Sequence, residues 1–282
     1  MPITSRREFL RATVMGLPLI QLSTLASQNI LELRPLPGGE RIPYAAGEFQ
    51  FGELRIPEGA GPHPVAIVIH GGYWRAAYGL NHISHLCAAL TKIGIATWCL
   101  EYRRVGNPGG GWPGTFEDIK NGALHLRQIA AAKNLDLHRV ISTGHSAGGQ
   151  LVLWLARQSV VELRGVLPLA PVADLRRAYA MHLGGGAVTE LLGGSPREKP
   201  ERYAAASPAD LLPLKIRQRL LHGVDDNLVP IVLSRDYVSA AKEKGDDARL
   251  HELAGMGHFE LIDPRSAAWP AVRDAALELI AV

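Results

Sequence analysis

Short apolar runs alternate with longer segments of helical spacing along most of this chain. Val65–Ile69 is an unbroken run rich in β-branched residues, as expected of a strand buried on both faces. Gly94–Leu100 and Gly165–Leu169 read the same way, and Phe49–Ile56 alternates like an edge strand. Arg139–Thr143, Arg219–Leu221 and Ala248–Leu253 complete the predicted strands. Helical spacing predicts helices over Asn81–Ile93, Thr115–Lys133, Ala147–Arg157, Ile231–Lys244 and Ala267–Ile280. Thr115 is the expected N-cap of its helix, and Gly245 stops the helix before it. Repeated strand–helix–strand units imply an α/β fold, a mainly parallel sheet with helices on both faces. Between Pro171 and Pro213 the alternation breaks down. Residues 171–213 are therefore expected to form a small cap-like insertion over the sheet's carboxyl edge, where open α/β sheets bind ligands. A surface excursion without a role is the other reading.

The first 26 residues follow a different pattern. Ser5-Arg6-Arg7-Glu8-Phe9-Leu10-Arg11 precedes an apolar run from Ala12 to Ile20, and small residues follow at Thr24 and Ala26. A charged start, a short apolar middle and a small-residue end match an export signal. The arginine pair followed by Glu-Phe-Leu resembles the bacterial twin-arginine signal. The expectation is a signal peptide over 1–26, a linker or N-terminal segment over 27–48 that includes the Pro/Gly-rich Pro35–Pro43, and one domain over 49–282. It implies the twin-arginine export machinery as a partner of the precursor and a periplasmic or secreted destination. A packed amphipathic helix is the alternative, and Gly16 and Pro18 argue against it.

A length of 282 residues suits one sizeable domain. The net charge of +3 falls to +1 without Arg6, Arg7, Arg11 and Glu8, so nucleic acid is not an expected partner. No run of about 20 apolar residues suggests a stable membrane span. Cys87 and Cys99 are too few for a disulfide framework, and separate buried thiols are expected, with a single bridge as the alternative. The 11 histidines are dispersed, and none forms a His-Glu-x-x-His pair, so no metal is expected. His82 and His85 lie three apart without a nearby acid and read as surface or packing residues.

Chemistry concentrates in four segments. Gly144-His145-Ser146-Ala147-Gly148 joins a predicted strand to a predicted helix, the setting of a strained turn that exposes a nucleophilic serine. The new helix directs its free N–H groups toward the site. His70-Gly71-Gly72-Tyr73-Trp74 follows the Val65–Ile69 strand. Gly72, Gly71 and Ala147 are the candidate oxyanion donors, and His70 reads as a buttress. His222-Gly223-Val224-Asp225-Asp226 ends another strand, and Asp226 is the candidate triad acid with Asp225 as runner-up. Gly255-Met256-Gly257-His258-Phe259 follows the last strand and offers His258 as the base, in the order Ser, Asp, His that such folds use. Tyr73, Trp74, Tyr102, Trp112 and Phe259 are candidates to line an aromatic-friendly substrate pocket, or are core.

Together these segments resemble the α/β-hydrolase superfamily over residues 49–282. His-Gly-Gly-Tyr-Trp is similar to the oxyanion motif of kynurenine formamidases, and of bacterial esterases and feruloyl-esterase-like members. The resemblance implies an eight-stranded sheet, no cofactor, and a covalent acyl-enzyme formed with a small-molecule ester or amide substrate. It implies Ser146, Asp226 and His258 as the triad. The alternatives are an arylformamidase, which shares the machinery, and a non-catalytic binding module on the same scaffold.

Overall fold

The computed structural model describes residues 29–281. The signal-peptide expectation over 1–26, with Arg6, Arg7 and the cleavage site, lies outside the described residues. Eight strands form one sheet in the order β1-β2-β4-β3-β5-β6-β7-β8. They are β1 (Glu40–Pro43), β2 (Phe51–Arg55), β3 (His63–Ile69), β4 (Ala96–Leu100), β5 (Leu135–His145), β6 (Gly165–Leu169), β7 (Arg217–Gly223) and β8 (Ala248–Leu253). Strands β3 to β8 run parallel, and β2 pairs antiparallel with both β1 and β4.

The principal helices are α1 (Ser84–Lys92), α2 (Gly114–Ile129), α3 (Ala147–Gln158), α7 (Val232–Glu243) and α8 (Trp269–Ile280). Three short ones lie between β6 and β7: α4 (Leu175–Ala180), α5 (Ala187–Leu192) and α6 (Pro200–Ala206). The two-residue period of β3 explains the layering. Val65, Ile67 and Ile69 pack with Phe116 and Ile119 of α2 and Leu151 of α3. Ala66 and Val68 pack with Leu86 and Leu90 of α1 and Val272 and Leu279 of α8. Each face of the sheet is thus covered by apolar helix surface, which is why the central strands carry no polar alternation.

Several expectations need correction. The described part of the expected linker, residues 29–48, is more than a connection: Glu40–Pro43 adds an edge strand, and Ile30 is buried against Leu261 and Ile262. Pro113, not Thr115, holds the N-cap position of α2. The Thr115 hydroxyl instead donates to the Arg103 carbonyl and accepts from the Gly111 N–H. Cys87 and Cys99 are free and buried, as expected, and the neighbouring Cys87 thiol together with burial pushes the Cys99 pKa up. The 171–213 segment is fastened to the loop after β3. Glu190 forms a bidentate pair with Arg75 at 2.7 and 2.9 Å, and the Leu191 carbonyl accepts from the Trp112 N–H.

Candidate active site

The carboxyl ends of β5, β6, β7 and β8 lie side by side, with His145, Leu169, Leu221 and His251 in register. The loops leaving this rim carry the chemistry. Ser146 stands between β5 and α3 at φ 58°, ψ −118°, a strained conformation for a non-glycine residue. Its neighbours must be small. A Cβ at Gly144 or Gly148 would run into the backbone of Ile69, so the glycines let the start of α3 close against β3. Among the described residues the Ser146 hydroxyl makes no hydrogen bond. Catalytic contacts of this kind tighten when substrate fills the site.

The loop after β3 also holds an unusual backbone. Gly72, Tyr73 and Trp74 have successive positive φ values of 105°, 52° and 56°. Among the described residues no group accepts from the N–H of Gly72, Tyr73 or Ala147. Gly71 touches the serine directly: a Cβ there would lie 3.1 Å from the Ser146 Cβ. A row of free amide donors beside a serine is suited to a developing negative oxygen. The Tyr73 N–H was not among the donors foreseen; the residue's aromatic ring drew attention to its side chain instead.

Asp226 follows β7 and His258 follows β8. His258 Nδ1 is 2.6 Å from Asp226 Oδ2, and the N–H groups of Leu228 and Val229 donate to Asp226 Oδ1 at 2.9 and 2.8 Å. Burial by itself would raise the Asp226 pKa, but hydrogen bonds from His222 and His258, the His258 charge and the Val229 N–H outweigh it. The carboxyl is held well below its ordinary range. The ionised carboxylate can only accept, so His258 Nδ1 must donate to it, and in the neutral ring that leaves Nε2 as the acceptor. Asp225 is exposed and Asp226 is buried, which separates the two candidates.

His70 is a buttress, as expected. Its Nδ1 lies 2.8 Å from the Gly71 carbonyl and its Nε2 3.0 Å from the Glu101 carboxylate, both of which accept, and its ring stacks on Tyr102 at 4.4 Å. The aromatic candidates divide. Tyr102 is fully buried with its hydroxyl on the His70 carbonyl, and Trp74 is buried with its indole N–H on Gln150. Both belong to the scaffold, and assigning them to a pocket is corrected accordingly. Trp112 is half-buried edge-on to Phe116. Phe259 packs edge-on to His258 at 5.1 Å and lines a cavity of about 300 Å³ with Ile30 and Glu260, away from Ser146. Tyr73 is half-buried, and its hydroxyl reaches toward the Leu228 carbonyl at 3.5 Å, beside Asp226. Of the five, Tyr73 stands at the site. His82, read as a surface or packing residue, is buried at the rim and bonded to His145.

The profile of the BD-FAE family matches residues 54–240. A probable carboxylic ester hydrolase, LipM of Mycobacterium tuberculosis, is 25% identical over 234 residues, 75% of this chain and 53% of that protein. A second relative from the same organism, the esterase LipQ, matches over 58% of its length, so the chain spans little more than half of these curated relatives. Among solved structures, a truncated carbohydrate esterase from gut microbiota superposes with a TM-score of 0.75 at 20% identity, over 86% of this chain and 99% of that one. That likeness shows the α/β-hydrolase type of fold.

Proposed function

This chain belongs to the BD-FAE family, and on that premise we propose that it is a serine-dependent carboxylic ester hydrolase acting on small molecules. The observation that carries the reading is the strained Ser146, set beside free amide N–H groups at the same rim as the His258–Asp226 pair. Relatives named as ester hydrolases support the substrate class.

In this mechanism His258 Nε2 takes the Ser146 proton as Oγ attacks the ester carbonyl. The N–H groups of Gly72, Tyr73 and Ala147 receive the oxyanion, with Gly71 packed against the serine. Asp226 holds the imidazole in its Nδ1–H tautomer and stabilises the imidazolium. Collapse of the tetrahedral intermediate sends that proton to the leaving alcohol and leaves an acyl-serine. Water, deprotonated by the same Nε2, then releases the acid and restores Ser146. The insertion over 171–213 bounds the site through Gly184, which packs on the Tyr73 ring.

Ser146→Ala is expected to reduce turnover of a short aryl ester by several orders of magnitude, roughly 10³-fold or more. Near-normal turnover by that variant overturns the reading. Comparing N-formyl aryl amides with aryl esters distinguishes an esterase from the formamidase alternative, because the machinery serves both. Failure of a fluorophosphonate to label Ser146 points to the non-catalytic scaffold. Export by the twin-arginine route is proposed from Arg6 and Arg7 and tested by replacing both with lysine; arrival outside the cytoplasm regardless rejects that route.

A further inference from the structure

Buried histidines that hydrogen-bond to one another must adopt a definite proton order, because each neutral ring has one donor and one acceptor. His145, the residue before Ser146, is fully buried, and His82, in the 3-10 turn leading into α1, is nearly so. His145 Nε2 lies 3.0 Å from the His258 carbonyl oxygen. A carbonyl only accepts, so His145 carries its proton on Nε2. Its Nδ1 lies 2.8 Å from His82 Nε2.

Burial, followed by the charges of neighbouring histidines, holds both rings neutral. The His82 pKa is pushed down to about 3, and that of His145 well below its ordinary value. His145 Nδ1 is therefore a bare acceptor, and His82 donates to it from Nε2. That leaves His82 Nδ1 as a buried lone pair with no partner among the described residues. The chain of donors runs one way, from His82 through His145 to the backbone of His258.

The same pair touches the oxyanion loop. A Cβ at Gly71 would lie 2.7 Å from the His145 carbonyl oxygen and 3.1 Å from both His82 Nε2 and the Ser146 Cβ. Three loops thus meet on two imidazoles: the turn carrying the serine, the loop carrying Gly71, and the loop carrying His258. Resting on the triad reading above, we infer that His145 and His82 are positioning residues that fix the His258 loop against the serine turn and the oxyanion loop.

Two physical consequences follow from the geometry. The His258 residue is held from both sides, by Asp226 at its ring and by His145 at its carbonyl, which sets the direction in which Nε2 points. The brace must also be neutral. The His145 ring centroid is 4.3 Å from that of His258, and a cation there would oppose the imidazolium formed when His258 takes the serine proton. A lysine or a protonated histidine would fail where a neutral donor succeeds. Phe259 packs against all three rings.

The test measures aryl-ester turnover, fluorophosphonate labelling and thermal melting for the wild type and for Ser146→Ala, His145→Phe, His145→Gln and His82→Phe. Ser146→Ala should lose turnover and labelling together. His145→Phe should keep its fold and KM but lose kcat roughly 100-fold, the scale of a displacement of about 1 Å in a reacting group. His145→Gln, whose amide N–H reaches the same carbonyl, should recover about 10-fold of that loss. His82→Phe should lower kcat by less. If Ser146→Ala still labels and turns over, the nucleophile assignment itself has failed. If Ser146→Ala is inactive while His145→Phe keeps kcat within about twofold of wild type, only the brace is overturned. Equal kcat for folded Phe and Gln variants overturns it too. Should His145→Phe not fold, His145→Asn, too short to reach the carbonyl, replaces it in the comparison with Gln.

Discussion

The two ends of the sheet solve the problem of buried polarity in opposite ways. At the amino end of β7, Arg219 is only 2% exposed, yet its guanidinium donates to Asp247 at 3.0 and 3.1 Å and to Glu278 at 2.8 Å, both of which remain in contact with water. Arg217 beside it donates to the Leu279 carbonyl at the end of α8 at 2.8 Å. These cations never lose their charge, and their planar forks tie strand to helix. At the carboxyl rim, beside the buried Asp226 and the Glu101–Arg104 pair, five histidines are buried: His70, His82, His145, His222 and His258. Their hydrogen bonds are directional, and they depend on which nitrogen holds the proton. The amino end is built so that its charge state does not matter to geometry. At the rim, the proton transfer proposed from Ser146 to His258 requires the surrounding rings to hold one tautomer.

The strongest test of that contrast is Asp226→Asn. Asp226 Oδ1 faces two backbone N–H groups, from Leu228 and Val229, which can only donate. The amide oxygen of an asparagine must therefore take that side, leaving its NH₂ to face His258 and also His222 Nε2, which lies 3.3 Å from the native Oδ2. His258 would then accept at Nδ1 and hold its proton on Nε2, where it cannot receive one from Ser146. A loss in kcat of about 10⁴-fold is expected, with little change in KM. A loss below about tenfold would show that proton order at the rim does not govern the reaction. Gly72→Ala ranks next. Its φ of 105° is costly for alanine, and the new Cβ would be driven into Tyr78. Displacing one oxyanion donor is expected to cost about 100-fold in kcat, read from short-chain ester kinetics. An unchanged kcat would remove Gly72 from the oxyanion site.

The contrast also explains what could be read from the amino-acid order. Strands β3, β6 and β8 were legible because burial on both faces, or a short run bounded by turns, leaves a local trace. Ser146, Asp226 and His258 were legible because each sits at a strand end with glycines that a sharp turn requires. Strand β1 was not: Glu40–Pro43 is short, mostly exposed and carries charges, which suit an edge but resemble a linker. Trp74 and Tyr102 were misplaced because nearness to a motif says nothing of side-chain direction. The bond between His82 and His145 joins positions 63 residues apart, and no spacing rule encodes such a contact. Local backbone demands were visible, and long-range proton order was not.

The smallest effect expected lies at the other end of the sheet. Arg219→Met keeps the apolar stem packed but removes the fork. Because Asp247 and Glu278 are still hydrated, the loss should be only about 1–2 kcal/mol, a melting decrease of a few degrees, with kcat unchanged. The pH response has a definite sign. The Arg219 hydrogen bond, offset in part by burial, holds the Asp247 carboxyl below its ordinary range. Its share of stability is therefore fully present above the unfolded carboxylate pKa and is lost as pH falls through the lower folded value. The variant lacks that share at neutral pH and has less to lose on acidification. Melting temperatures of the two proteins should converge as pH is lowered from about 5 toward 3, while ester turnover at neutral pH stays the same. A variant that melts normally but turns over slowly would place the amino end in the catalytic network and erase the division between the two ends.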